Sequence, residues 1–193
     1  LDPVQSEILE ARIPAHLRAP DGSWFAFSTR ARVIVYNKAG VKPTDVDTYE
    51  KLADPKHKGK VCTRSGSHPY QLSLAASLIE HLGEARTEEW AKGVVANFAR
   101  NPRGGDTDQI KGVASGECGV ALTNSYYLAR LMRSEKPDDK DVVAKIGLVW
   151  PNQADRGTHL NIAGGAMAKS AKNREAAIKF LEYLASDDAQ RYF

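Results

Sequence analysis

Hydrophobic positions along the chain alternate between patterns typical of strands and patterns typical of helices. The segment 24–36 is rich in aromatic and β-branched residues but carries arginines in its middle. This combination predicts one long strand that crosses between two bodies rather than a strand buried in a single sheet. Shorter strands are predicted at residues 60–63, 119–123, 145–150 and 160–168.

Helices are predicted where apolar residues recur at helical spacing. In segment 70–82, Leu74, Leu78 and Leu82 repeat at four-residue steps, and Gly83 is a typical helix end. Further helices are predicted at residues 48–53, 87–98, 108–115, 126–134 and 173–185. The alternation of strands and helices favours an α/β fold, with helices on both faces of a central, mixed and mostly parallel sheet.

Composition narrows the class of protein. The chain has 193 residues, of which 42% are hydrophobic, so it is long enough to bury a large core. No run approaches the roughly 20 apolar residues that a membrane helix needs, which argues against a membrane-spanning protein. The net charge of +3 is small, and basic residues are dispersed among acidic ones, so nucleic-acid binding is not indicated.

Motifs for enzyme chemistry are missing from the sequence. There is no nucleophile elbow, phosphate-binding P-loop or zinc-binding HExxH helix, and the five histidines are scattered. We therefore expect a protein that is not an enzyme. Cys62 and Cys118 are each predicted on a strand of the same sheet. They are either two buried small hydrophobes or, in an oxidising compartment, a disulfide between neighbouring strands.

Three tyrosines lie where predicted strands give way to helices, at the edge where open α/β sheets bind ligands. Tyr126 and Tyr127 are adjacent, and Tyr70 arrives at the same edge from another junction. One reading places one of the adjacent rings in the core and the other on the surface. The other reading brings three phenols together. Phenolate oxygen suits a hard, strongly polarising cation, and three phenolates balance the charge of Fe(III).

Arg30 and Arg32 are two residues apart on the predicted crossing strand, so their side chains share one face. If that strand lines a cleft, one of them can pair with a small anion that completes the coordination of the metal, and we favour Arg30. At the junction between strand 60–63 and helix 70–82, small residues before Pro69 leave backbone N–H groups free to face an anion. At the junction between strand 119–123 and helix 126–134, Asn124 or Ser125 can cap the following helix.

Four segments resemble the periplasmic ferric-iron-binding proteins of bacterial ABC transporters, which have the type II periplasmic-binding-protein fold. They are WFAFSTRARVIVYNK, VCTRSGSHPYQLSLAAS, GGDTDQIKGVASGECGVALTNSYYLARL and HLNIAGGAMAKSAKNREAAIKFLEYLAS. The resemblance covers almost the whole chain. It implies that three tyrosines of the carboxy-terminal lobe ligate iron, and that four other residues meet a synergistic anion such as carbonate or phosphate. The ligands would be Tyr70, Tyr126 and Tyr127, and the anion-binding residues Arg30, Asn124, Ser65 and Ser67.

The same resemblance implies a domain organisation and a role. Residues 1–32 would be part of the amino-terminal lobe and the first hinge strand, residues 33–160 the carboxy-terminal lobe, and residues 161–193 the return hinge strand and a helix. The chain would be a fragment that lacks the start of the amino-terminal lobe and the carboxy-terminal end. The protein would capture Fe(III) in the periplasm as a monomer and deliver it to an inner-membrane ABC permease.

Two alternatives remain open from the sequence. The same fold can bind a small oxyanion or a cationic organic solute, with the tyrosines making hydrogen bonds or cation–π contacts. It can also be the effector-sensing domain of a transcription regulator.

Overall fold

A computed structural model describes residues 1–192, so Phe193, the last residue of the predicted segment 161–193, lies outside the described residues. The chain divides into two compact units. Unit 1 comprises Leu1–Thr29 and the chain from Ile162 onward, and unit 2 comprises Arg30–Asn161. The divisions predicted from the sequence, at 32/33 and 160/161, differ from these boundaries by three residues and by one residue.

Unit 1 is built from helices packed on the ends of two strands. Its helices are α1 (Glu7–Arg12), α7 (Arg174–Leu184) and α8 (Asp187–Gln190). The strands β1 (Phe25–Asn37) and β5 (Leu160–Gly165) begin or end in this unit. Its core joins apolar side chains from these elements and from the connecting segments, namely Val4, Leu9, Ile13, Phe25, Phe27, Met167, Leu181 and Ala185.

Unit 2 is a sheet with apolar clusters on both faces. It contains the strands β2 (Val61–Cys62), β3 (Val120–Asn124) and β4 (Ile146–Val149). Its helices are α2 (Pro69–Leu82), α3 (Glu84–Ala96), α4 (Asp106–Ser115), α5 (Ser125–Met132) and α6 (Pro137–Lys145). Successive β1 residues point to opposite faces, so Ile34 joins the cluster under α2 and α3, whereas Val35 joins the cluster under α4 and α5.

The prediction of a mixed sheet is confirmed, but the prediction that its strands are mostly parallel is wrong. The strand order is β2-β3-β1-β4, and β5 also pairs with β1. Of the pairs with a described register, β1–β3 and β1–β4 are antiparallel and only β2–β3 is parallel. The helical connection from β2 to β3 does produce a parallel pair. However, β1 runs in the opposite direction between β3 and β4, and local periodicity carries no information about that insertion.

The predicted crossing strand is confirmed as β1. Its residues Phe25–Thr29 belong to unit 1, and from Arg30 the strand continues in unit 2. Residues 25–27 and 31–35 are buried, whereas Ser28, Thr29 and Arg30 between them are more exposed. The β-branched run at Val33–Val35 favours extended backbone, and it forms the centre of the sheet.

Helices α3 and α6 depart furthest from the predictions, for local reasons. Helix α3 begins at Glu84 rather than at residue 87, because Gly83, with φ +83°, ends α2 and starts α3 without an intervening loop. Helix α6 was not predicted at all. It buries none of its residues, so it lacks an apolar stripe, although Pro137 in its first turn and the two following aspartates are typical of a helix start.

The two cysteines form a disulfide, which selects one of the two readings of the sequence. Cys62 and Cys118 are bonded and both are buried. Cys62 ends β2, but Cys118 precedes β3 and is not on a strand as predicted. The bond therefore ties the end of one strand to the turn that enters its parallel neighbour. Across residues 1–192, none of the helices combines the length and apolar character that a membrane crossing requires.

Candidate functional site

Tyr70 is placed by the start of helix α2. The ring nitrogen Nδ1 of His68 accepts a hydrogen bond from the Tyr70 N–H at 3.2 Å and so caps the helix. Pro69 occupies the first helical position, where a missing N–H costs nothing. The His68 ring also lies edge-on to the Tyr70 ring, with centroids 4.4 Å apart. The local sequence thereby fixes Tyr70 in the first turn, half-buried.

Tyr126 and Tyr127 are placed by the junction between β3 and α5. Asn124 is the last residue of β3 and Ser125 the first of α5, so both tyrosines lie in the first turn of the helix. Their rings stack with centroids 4.3 Å apart and planes inclined by 30°. Because the strand ends here, the two adjacent side chains point to the same side, whereas within a strand they would point to opposite faces.

The phenol oxygens of Tyr70 and Tyr126 lie 3.1 Å apart. Oxygens on adjacent corners around a small octahedral cation are separated by roughly 3 Å. One ion can therefore contact both oxygens without a large movement of either helix. The structure brings the three predicted tyrosines together.

The Tyr126 phenol is stabilised in its protonated form. Burial raises its pKa above the ordinary value, and hydrogen bonds with the hydroxyls of Tyr127 and Tyr70 raise it further. A metal ion that binds this oxygen must therefore displace a proton.

Three arginines surround the Tyr70 ring. The guanidinium carbons of Arg64, Arg30 and Arg32 lie 4.9, 5.4 and 5.8 Å from its centroid. These distances are within the range of cation–π attraction. The tyrosine cluster thus has a positively charged side, which suits an anion and repels an organic cation.

Arg32 is the most deeply buried of these arginines, with 1% of its surface exposed. Its Nη1 donates to Asp106 Oδ2 at 2.8 Å and to Asn124 Oδ1 at 3.1 Å, and its Nη2 donates to Gln71 Oε1 at 2.6 Å. Gln71 adjoins Tyr70, and Asn124 closely precedes Tyr126. Arg32 therefore links the two helix starts that carry the tyrosines, whereas Arg30, which the sequence analysis favours for an anion, is half-buried beside Tyr70.

The other predicted anion-binding residues take different places. Asn124 is buried and stands at the cap position of α5 without capping it, since its side-chain oxygen accepts from Arg32 instead. Within the described part of the chain, its Nδ2 has no hydrogen-bond partner. Ser65 and Ser67 are exposed, and their hydroxyls lie 2.8 Å apart. In residues 1–192 neither serine hydroxyl bonds to a tyrosine. Their role with an anion stays a prediction.

Sequence reasoning missed Asp106, Arg64 and Gln71 as members of this cluster. Asp106 is fully buried, accepts from the Asn124 backbone N–H at 2.7 Å, and lies 3.4 Å from Arg64 Nη1. An acidic residue at a helix start is so common that nothing distinguished this one.

The arrangement as a whole offers hard oxygen donors on one side and guanidinium groups on the other. Among residues 1–192, no group of three or more His, Cys, Asp or Glu side chains is placed to hold a metal ion. Any metal bound at the tyrosine cluster is thus held chiefly by phenol oxygen, which selects hard cations.

Comparison with models of protein families identifies the family to which the chain belongs. Residues 3–193 match the model of the family described as bacterial extracellular solute-binding protein. The chain belongs to the bacterial extracellular solute-binding protein family.

Curated relatives of this solute-binding protein have names that refer to iron. Iron uptake protein A1 from Synechocystis is 54% identical over 190 residues, which is 98% of this chain and 53% of the relative. The major ferric iron-binding protein of Neisseria meningitidis is 28% identical over 169 residues, covering 87% of this chain and 49% of that protein. The chain spans about half the length of the curated relatives that it matches.

Solved structures of similar proteins share the fold. The Trichodesmium protein IdiA (FutA), solved in complex with iron and citrate, is 56% identical, with a TM-score of 0.92 over 99% of this chain and 60% of that chain. Apo FutA2 from Synechocystis is 52% identical, with a TM-score of 0.93 over all of this chain and 62% of that chain. The resemblance seen in the sequence, and the periplasmic-binding-protein fold that it implies, are confirmed.

Proposed function

We propose that this solute-binding protein captures Fe(III), with Tyr70, Tyr126 and Tyr127 as tyrosinate ligands. The observation that carries the proposal is the convergence of the three phenols, with the Tyr70 and Tyr126 oxygens 3.1 Å apart. Three phenolates supply three negative charges, which match the charge of the ferric ion. The 56% identical Trichodesmium protein was solved with iron and citrate, which supports iron as the bound metal.

A small anion completes this proposal. Arg30, Arg32 and Arg64 place positive charge beside Tyr70, and the Nδ2 of Asn124 is a buried donor. Carbonate or phosphate would fill the coordination positions that the tyrosines leave, and would be held by the arginines. Residues Ser65 and Ser67 are proposed to contribute from the loop before α2.

The proposed carrier works in the periplasm. Iron would shift the protein toward a closed state by bending the hinge strands β1 and β5, and an inner-membrane ABC permease would receive the ion from the monomeric carrier. The Cys62–Cys118 disulfide supports an oxidising compartment. The role is binding and delivery rather than catalysis.

Visible spectroscopy tests the ligand assignment. Adding Fe(III) should produce a tyrosinate-to-iron charge-transfer band, which weakens in Tyr127→Phe together with the affinity. The loss of affinity should exceed the roughly 10–100-fold typical for removing an outer partner of a metal ligand, because a direct ligand is lost. The matched control is Tyr183→Phe, which alters an exposed tyrosine of α7. A colourless ferric complex, or equal effects of the two substitutions, would refute the assignment.

Proton release provides an independent prediction. Because burial and neighbouring hydroxyls raise the pKa of Tyr126, its phenol is protonated near neutral pH, and ferric binding must expel that proton. Affinity should therefore rise with pH and fall on acidification. Titration in weak buffer with a pH indicator should record fewer protons per iron for Tyr126→Phe than for the wild type. Binding that is independent of pH between 6 and 8 would contradict the mechanism.

A second candidate function is binding of an oxyanion without iron. The three guanidinium groups around Tyr70 favour it, and they also argue against the cationic organic solute. Calorimetry of metal-free protein with phosphate, carbonate and a polyamine separates the candidates. Tight binding of an anion in the absence of metal would favour this second function, and weak anion binding that tightens with iron would favour the first.

A further inference from the structure

The carboxylate of Asp106 is buried and is bound by residues that lie next to the tyrosines in space or in sequence. Its side chain is fully buried at the first position of helix α4. Oδ2 accepts from Arg32 Nη1 at 2.8 Å and from the Asn124 backbone N–H at 2.7 Å. Oδ1 lies 3.4 Å from Arg64 Nη1. One buried anion thus serves two cations and a backbone donor.

These three partners come from three separate parts of unit 2. Arg32 lies on β1, Arg64 on the loop between β2 and α2, and Asn124 at the end of β3. The loop of Arg64 leads to Tyr70, and Asn124 leads to Tyr126 and Tyr127. Asp106 therefore contacts each of the segments that bring the tyrosines together.

Asp106 carries one negative charge, but two positively charged arginines lie against it. A buried ion pair requires one cation for one carboxylate, but Asp106 holds both Arg32 and Arg64. Both guanidinium groups also lie within 6 Å of the Tyr70 ring centroid. The excess positive charge lies beside the Tyr70 ring, and a pair that served stability only would not need it.

We propose that Asp106 is the positioning residue of the tyrosine site. Its carboxylate holds two guanidinium groups against the Tyr70 ring. It also anchors the end of β3, which is followed directly by the helix start that carries Tyr126 and Tyr127. The phenol oxygens are thereby preorganised before the ligand arrives, which lowers the ordering cost of binding. The proposal rests on the proposed ferric function for its affinity measurement, but its structural part can be tested without iron.

The test compares Asp106→Asn with Leu52→Ala. Asparagine keeps the size of the side chain and removes the charge. Leu52 is fully buried in the apolar core of the same unit and is not a partner of Asp106, so Leu52→Ala is a control for lost stability. Three quantities are measured on each protein: the urea midpoint, the ferric affinity and band maximum, and amide hydrogen exchange of Asn124 in the iron-free state.

We expect Asp106→Asn to weaken ferric affinity roughly 10–100-fold and to shift the band maximum. Exchange of the Asn124 amide should accelerate about tenfold, because a hydrogen bond to a carboxylate is roughly twice as strong as one to a neutral acceptor. Leu52→Ala should lower the urea midpoint and leave the band and the Asn124 exchange rate unchanged.

The outcomes separate the two proposals. Wild-type affinity, band and exchange in Asp106→Asn would overturn the positioning role. The same holds if Leu52→Ala reproduces every change, since Asp106 would then act through stability alone. If wild-type protein gives no tyrosinate band, the ferric function fails. The amide exchange of iron-free Asp106→Asn then decides the positioning role by itself.

Discussion

Replacing Arg32 with methionine should lower the free energy of unfolding by roughly 3–5 kcal/mol. The guanidinium is 1% exposed and pairs with Asp106, whose side chain is fully buried. Methionine fills much of the volume but supplies no hydrogen bond to Asp106, Asn124 or Gln71. The cost comes mainly from leaving a buried carboxylate with one distant cation, because a charge in a low-dielectric interior is poorly solvated.

Urea unfolding of the iron-free protein measures this effect. Lys92→Met is the matched control, because Lys92 is exposed on α3 and pairs with Glu88 in an exposed salt bridge, so its removal should change stability by less than about 1 kcal/mol. The double variant Arg32→Met/Asp106→Asn should recover part of the loss, since it removes the unpaired charge. If the single and double variants are equally unstable, the unpaired carboxylate is not the source of the cost.

Most of the strands and longer helices of this fold could be predicted, because their sequence patterns are local. The β-branched run around Val33–Val35 marks the crossing strand, and the leucines at 74, 78 and 82 mark α2. Strand direction could not be predicted in the same way. The position of β1 between β3 and β4 depends on contacts such as Ile34 with Leu122, which are far apart in the sequence.

The candidate site shows the same division between local and long-range information. Tyrosines at the ends of strands could be recognised, because helix starts and strand ends are local patterns. The preference for Arg30 over Arg32 had no local pattern to support it, since both side chains share one face of β1. The register decides the role of Arg32, which stands opposite Asn124 and so meets it side by side. Asp106 was missed because its importance comes only from partners on other elements.

Removing the disulfide should have an effect of similar size to the loss of Arg32. The bond closes a loop with a sequence separation of 56 residues, for which chain entropy alone gives about 4 kcal/mol. The double variant Cys62→Ala/Cys118→Ala should therefore lower the free energy of unfolding by roughly 2–5 kcal/mol. Alanine is preferred to serine because both sites are buried among apolar side chains, where an unbonded hydroxyl would add its own cost.

Reductant supplies the control for this prediction. Wild-type protein treated with dithiothreitol should lose as much stability as the double variant, and the double variant should not respond to the reagent. The loss should also be visible locally, as faster amide exchange at Val120, whose N–H donates to Lys60 across the β2–β3 boundary. Strand β2 has only two residues, so its pairing with β3 depends on the covalent link more than a longer strand would. Equal urea midpoints for the oxidised wild type and the double variant would show that the core alone holds these strands together.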